Sequence, residues 1–110
     1  MKILFLGDVV GISGCSKLLS NLKNEIDSKK IDFVVVNGEN AASQGVGLTK
    51  EICNDFFNCG VDVITTGNHV WDQIEIMDYI DKEKRLLRPK NLFEPAPGNG
   101  FNIYSTKENI

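Results

Sequence analysis

Three short apolar runs constrain the fold of this chain more than any other sequence feature. They cover residues 2–6, 31–36 and 61–66, and each is followed within two residues by a glycine next to polar side chains. Continuous apolar runs of this length are typical of strands buried on both faces of a parallel sheet. Segments with apolar residues at helical spacing separate the runs. The alternation predicts an α/β fold with parallel strands and right-handed crossovers.

Two amphipathic helices are predicted in the segments that separate these strands. Thr49 is expected to cap the second helix, and Gly60 stands where a left-handed residue would end it. The apolar positions of the two helices are Cys15, Leu18, Leu19, Leu22 and Ile26 in the first, and Leu48, Ile52, Phe56 and Cys59 in the second.

A third helix and a fourth strand complete the predicted β-α-β-α-β-α-β order. Asp72 and Glu75 resemble a capping box at the start of that helix. Its inner face is predicted to contain Ile74, Met77 and Ile80. Residues 87–100 include every proline of the chain and are expected to be irregular. Residues 101–105 then look like the fourth strand, so the whole of 1–110 is interpreted as belonging to one domain.

Composition excludes several kinds of partner. A net charge of -3 gives no reason to expect duplex DNA or an anionic membrane as a partner. No apolar run approaches the roughly 20 residues of a membrane span, and the N-terminus lacks a signal-peptide cleavage pattern. The three cysteines are odd in number and fall in helical patterns, without the close spacing of a thiolate metal site. A reduced, cytoplasmic protein is expected.

Polar side chains cluster where the three predicted strands end. They are Asp8, Glu39, Asn40, Asn68 and His69, and His69 is the only histidine of the chain. In a parallel sheet the carboxyl ends of successive strands lie at one edge, where ligands bind. Two carboxylates, two amides and an imidazole suit a divalent metal ion. The sequence therefore predicts a metal and phosphate site at this edge.

Each of these residues also has an ordinary structural interpretation. Asp8, or the Glu39-Asn40 pair, could belong to a simple turn, and Asn68 suits a left-handed turn. A lone histidine such as His69 is more often structural than catalytic. The glycine-rich residues 45–47 favour a flexible loop, because the ending of a phosphate-binding P-loop is missing. A dinucleotide-binding module is a weaker alternative, because its glycine fingerprint is absent.

The three strand ends together resemble a known family. Gly7-Asp8, Gly38-Glu39-Asn40 and Gly67-Asn68-His69 are similar to the first three motifs of calcineurin-like metallophosphoesterases. Glu39 stands where most members have aspartate, and Val10 where many have a metal-binding histidine. With Val70-Trp71-Asp72, Arg88-Pro89 and Pro97-Gly98-Asn99-Gly100, the chain resembles the YmdB-type subgroup of bacterial cytoplasmic phosphodiesterases that act on 2′,3′-cyclic nucleotides.

The resemblance implies a binuclear centre of two metal ions, with iron or manganese expected. Asp8 and Asn40 would bind the first ion, Glu39 would bridge both, and Asn68 would bind the second. A hydroxide that bridges the ions would attack phosphorus, and His69 would act as the general acid or as a hydrogen-bond donor to the transition state. The expected partner is a small cyclic-nucleotide phosphodiester.

One departure from the family pattern concerns the histidines. The family completes both metal shells with later histidines, including a Gly-His-x-His motif, and this sequence has none after His69. The chain therefore resembles the first half of such an enzyme in a layered α/β fold, with an uncovered sheet edge. The alternative expectation is a polypeptide that is inactive by itself. It would self-associate or pair with a second chain that carries the missing ligands.

Overall fold

The computed structural model describes residues 1–106, and in this part of the chain a four-stranded sheet alternates with three helices. The elements are β1 (Ile3–Leu6), α1 (Gly11–Lys29), β2 (Phe33–Asn37), α2 (Lys50–Cys59), β3 (Val63–Thr65), α3 (Ile76–Ile80) and β4 (Leu86–Leu87). The strands lie in the order β1-β2-β3-β4, and every pair is parallel. The predicted α/β class and the alternation of the first three strands with three helices are confirmed. Residues 107–110 of the predicted domain lie outside the described residues.

The hydrophobic core lies between the sheet and the first two helices. Leu18 and Leu22 of α1 and Phe56 of α2 belong to one buried cluster with Val34 and Val36 of β2. This packing explains the helical spacing of the apolar residues, because each helix directs one stripe toward the sheet.

The expectation that all strands are buried on both faces is wrong for β1. Leu4 and Leu6 pack against the core, whereas Ile3 and Phe5 are 55% and 61% exposed. Alternate residues of a strand point to opposite faces, and within residues 1–106 the second face of β1 stays accessible to solvent. A continuous apolar run therefore does not reveal whether one face or both faces of a strand are buried.

The ends of α2 follow the sequence prediction. The Thr49 hydroxyl accepts a hydrogen bond from the Ile52 backbone N–H at 3.2 Å, and Gly60 ends the helix at φ +116°. Both devices satisfy backbone groups that a helix end leaves without partners.

The predicted capping box of α3 is wrong. The helix begins only at Ile76, and the Glu75 carboxylate instead accepts a hydrogen bond from the Lys50 backbone N–H at 3.2 Å. Ile74 is 75% exposed, and Ile76 and Ile80 form the buried face in its place. Residues 72–75 therefore form bends and turns between β3 and α3, and Glu75 contacts the start of α2 instead of opening a helix.

The predicted fourth strand at residues 101–105 is also wrong. The fourth strand is Leu86–Leu87, which pairs with β3 at Ile64 and Thr65. Phe101 and Ile103 are 68% and 91% exposed and form no strand. A two-residue strand has no periodicity to detect. The alternation of residues 101–105 is typical of a strand, but within residues 1–106 this segment pairs with no neighbouring strand.

The proline-rich segment that follows β4 is held by one buried guanidinium. Arg88 is 4% exposed and donates hydrogen bonds to the Pro97 and Pro89 carbonyls and to the Glu94 carboxylate. A buried charge with all these acceptors is compensated, so Arg88 orders a segment that lacks regular structure.

Of the three cysteines, Cys53 is a small buried side chain, as expected, whereas Cys15 and Cys59 are half-buried. Cys53 is completely buried, and desolvation raises the pKa of its thiol. Burial also raises the pKa of the half-buried Cys15 and Cys59 thiols. Protonated thiols are poor metal ligands. Among the described residues, no helix combines the length and apolar character needed to cross a membrane.

Candidate functional site

The tips of β1 and β2 are joined by backbone hydrogen bonds. The Val9 N–H donates to the Asn37 carbonyl at 3.1 Å, and the Gly11 N–H donates to the Asn40 carbonyl at 2.9 Å. Asp8 directly precedes Val9 and adopts φ +45°, in the left-handed region that aspartate tolerates better than most residues. The backbone thus fixes Asp8 beside the tip of β2.

Asp8 and Asn40 are brought together as predicted. The Asn40 amide nitrogen donates to Asp8 Oδ1 at 2.8 Å. The Asn40 Oδ1 atom is buried and has no hydrogen-bond partner among the described residues. A buried amide oxygen without a partner is costly, so this atom indicates a place for a ligand that the chain itself does not supply.

Glu39 connects the tip of β2 to the tip of β3. One carboxylate oxygen accepts a hydrogen bond from the His69 backbone N–H at 3.2 Å, and the other lies 3.5 Å from the Asn37 amide nitrogen. A Cβ atom at position 67 would collide with both carboxylate oxygens. A side chain at position 67 would displace this carboxylate, so Gly67 leaves room for Glu39 at the third strand tip.

Residues 67–72 form two successive turns that present the third group of predicted site residues. The Val70 N–H donates to the Gly67 carbonyl, and the Asp72 N–H donates to the His69 carbonyl, both at 3.1 Å. The buried Val70 side chain anchors the first turn. Asn68 is exposed and, within residues 1–106, its side chain makes no hydrogen bond to the other site residues.

The His69 imidazole has a carboxylate partner that sequence reasoning missed. Its Nδ1 atom lies 2.7 Å from Asp72 Oδ2, and the two side chains are 37% and 38% exposed. The sequence prediction assigned Asp72 to a helix cap. The signal that could have found the pair is the three-residue spacing, which a turn can close as readily as a helix.

Asn37 is the second residue that sequence reasoning left without a role. Its Oδ1 atom is buried and, like that of Asn40, has no hydrogen-bond partner in the described part of the chain. The sequence signal for this role is that an asparagine ends the otherwise apolar strand β2. Two unpartnered amide oxygens therefore lie at the tip of β2.

The donor set at this edge fits a hard divalent cation in part. Asp8, Glu39 and Asn40 offer carboxylate and amide oxygens, the ligands that such ions prefer. Within residues 1–106, however, no group of three or more histidine, cysteine, aspartate or glutamate side chains is placed to hold a metal. The described residues thus offer oxygen donors at this edge without forming a complete ligand cluster.

Solved structures show which class of protein has this arrangement. A hypothetical protein from Thermus thermophilus superposes with a TM-score of 0.84 at 36% sequence identity, over 92% of this chain and 38% of the solved one. A phosphatase from Mycoplasma pneumoniae superposes with a TM-score of 0.83 at 33% identity, over 94% and 39%. The fold is therefore that of the phosphatase-fold α/β proteins.

Sequence comparison narrows this class to one family. The model of the YmdB-like protein family matches residues 4–110, so the chain belongs to the YmdB-like family. It is 45% identical over 101 residues to the 2′,3′-cyclic-nucleotide 2′-phosphodiesterase of Bacillus subtilis strain 168, which is 92% of this chain and 38% of that protein. The chain thus spans less than half the length of this relative, and the family predicted from the strand-end motifs is confirmed.

Proposed function

We propose that the chain contributes one side of the active site of a metal-dependent phosphodiesterase that acts on 2′,3′-cyclic nucleotides in the cytoplasm. The observation that supports the proposal best is the unpartnered, buried Asn40 Oδ1 beside Asp8 at the carboxyl edge of the sheet. Membership of the YmdB-like family and the activity named for the Bacillus subtilis relative support the substrate class.

Four oxygen-bearing side chains would hold the metal ions in this proposal. Asp8 and Asn40 would bind one ion, Glu39 would lie between two, and Asn68 would bind the second. Two iron or manganese ions would polarise the phosphodiester and supply an activated water. The described residues act by fixing these oxygens, because backbone bonds to the tip of β2 position Asp8 and the His69 N–H orients Glu39.

His69 would donate the proton that the leaving oxygen requires. Its backbone N–H donates to Glu39, so His69 lies at the same edge of the sheet as the proposed metal ligands. An imidazole can protonate a leaving group at neutral pH, and general acid catalysis of this kind contributes about 10²–10⁴ to a rate.

The test is hydrolysis of 2′,3′-cyclic AMP by the chain with Mn²⁺ or Fe²⁺ added. His69→Ala and Asp8→Asn are expected to lower turnover by about 100-fold or more. Asp32→Asn is the matched control, because Asp32 lies before β2 at the opposite edge of the sheet and should leave turnover unchanged. Equal turnover in the wild type, H69A and D8N would contradict the proposal.

A second candidate is that the 110 residues bind metal weakly and are inactive unless a second polypeptide adds ligands. The presence of a single histidine and the absence of a three-residue ligand cluster among residues 1–106 favour this candidate. Calorimetric titration with Mn²⁺ separates the two: tight binding of two ions by the chain alone would exclude the second candidate. Weak binding without turnover would support it.

A further inference from the structure

We infer that Asp72 is a positioning residue that holds the His69 imidazole in one tautomer and one orientation. The inference rests on the proposed role of His69 in phosphodiester hydrolysis. Asp72 Oδ2 lies 2.7 Å from His69 Nδ1, which is the distance of a strong, charge-assisted hydrogen bond. Among residues 1–106, the hydrogen-bond partner of the Asp72 carboxylate is the His69 ring, so Asp72 would act through the histidine.

His69 is held from two sides by two different carboxylates. Glu39 accepts the hydrogen bond of its backbone N–H at 3.2 Å, and Asp72 contacts its ring. The next residue, Val70, is buried, which anchors the backbone of the turn. The Glu39 contact thus fixes the position of the His69 backbone, and the Asp72 contact fixes the orientation of the ring.

The chemistry of the pair selects the tautomer. An ionised carboxylate can only accept hydrogen bonds, so the ring nitrogen that faces Asp72 carries the proton. In the neutral ring Nδ1 is then the donor, and Nε2 is the nitrogen free to exchange a proton with a ligand. Both side chains are more than a third exposed, so solvent screens the pair and its contribution to stability is small. Orientation of the ring is the larger effect.

The glycine loop before α2 holds Asp72 in place. The side-chain amide of Gln73 donates a hydrogen bond from Nε2 to the Val46 carbonyl at 3.2 Å. Gly47 adopts φ +83°, and a Cβ atom there would lie 3.2 Å from Asp72 Cβ and 2.7 Å from Gln73 Cγ. The loop that the sequence predicted to be flexible is thus packed directly against the residue that orients His69.

The spectroscopic test uses the fact that His69 is the only histidine of the chain. Long-range ¹H–¹⁵N correlation of the ¹⁵N-labelled protein then reports one ring without assignment. The neutral ring of the wild type is expected to be the Nδ1–H tautomer. Asp72→Ala should shift it toward the Nε2–H form that free imidazole side chains prefer, and Asp78→Ala, which removes an exposed carboxylate of α3, should leave it unchanged. An Nε2–H ring in the wild type would overturn the inference.

The kinetic test separates the inference from the function on which it rests. In 2′,3′-cyclic AMP hydrolysis, Asp72→Ala is expected to lower kcat by about 10–100-fold with KM little changed, as for residues that orient a catalytic group. Asp72→Glu should recover part of the loss, and the double variant D72A/H69A should be no slower than H69A. A rate unaffected by H69A would refute the proposed function, whereas a slow H69A with a fast D72A would refute only the positioning role.

Discussion

Acidic side chains flank the strands at both edges of the sheet, but their partners differ. At the amino edge, Asp32 accepts a hydrogen bond from the Lys2 backbone N–H at 2.6 Å, and Asp62 accepts one from the Val34 backbone N–H at 2.8 Å. At the carboxyl edge, Asp8 accepts a side-chain bond from Asn40, and Glu39 accepts the N–H of a turn. The amino-edge carboxylates thus replace missing bonds of the sheet itself.

The two edges also differ in what is left unsatisfied. The buried amide oxygens without partners in the described part of the chain, those of Asn37 and Asn40, both belong to the carboxyl edge. Asp8, which has a left-handed backbone conformation, also lies at the carboxyl edge. Unsatisfied atoms and strained backbone that persist in a folded protein are typical of functional sites. Carboxylates at one edge therefore stabilise the sheet, and those at the other are available to a ligand.

The largest effect is expected from Gly67→Ala at the carboxyl edge, and it falls on Mn²⁺ affinity. The new methyl group would collide with both Glu39 carboxylate oxygens, which end a flexible side chain and can move aside. Mn²⁺ affinity should therefore fall by about 10–100-fold, and the free energy of unfolding by less than about 1 kcal/mol. The matched control is Gly7→Ala at the tip of β1, where a Cβ would meet no atom within 4 Å. Mn²⁺ titration and urea denaturation measure both variants. Equal Mn²⁺ affinities of the two variants would mean that Glu39 is not packed against the third strand tip.

A smaller loss is expected from Asp62→Ala at the amino edge. The substitution removes the acceptor of the Val34 N–H, and Val34 is 2% exposed, so the unfolding free energy should fall by about 1–2 kcal/mol. Asp62→Asn keeps an acceptor oxygen and should lose less. Metal affinity and phosphodiesterase turnover should be unchanged in both variants. A loss of turnover without a loss of stability would remove the distinction between the edges.

The smallest effect is expected in the stability difference between two Asp8 variants, which reports the backbone strain at this position. Because position 8 has φ +45°, Asp8→Gly should be more stable than Asp8→Ala by about 1 kcal/mol. Both variants lose the carboxylate, so both should lose Mn²⁺ affinity equally. Thermal unfolding and Mn²⁺ titration of the two proteins provide the comparison. An alanine variant as stable as the glycine variant would show that this backbone is not strained.

The parts of the fold that depend on long patterns were predictable from the sequence. The three apolar runs identified β1, β2 and β3, and Thr49 and Gly60 marked the ends of α2 correctly. Leu86–Leu87 could not be found in this way, because two residues have no period and their role depends on pairing with Ile64 and Thr65. Pairing of this kind is a tertiary property that local sequence does not contain.

The candidate site shows the same division between local pattern and tertiary contact. Parallel topology was enough to predict that Asp8, Asn40, Glu39 and His69 would share one edge, and the structure pairs Asp8 with Asn40 and Glu39 with His69. Asp72 was misassigned because an acidic residue followed three positions later by Glu75 matches a capping box. The turn that brings Asp72 to His69 depends on the buried Val70 and on the packed glycine loop, neither of which local spacing reveals.

The distinction between the two edges is tested most directly by paramagnetic broadening of the ¹⁵N-labelled chain with Mn²⁺. Substoichiometric Mn²⁺ should first remove the amide signals of residues 8, 39–40 and 67–69, while those of Asp32 and Asp62 persist. Glu39→Gln should abolish the selective loss. Equal broadening at both edges, or broadening that begins at Asp32 and Asp62, would contradict the assignment of the metal site to the carboxyl edge.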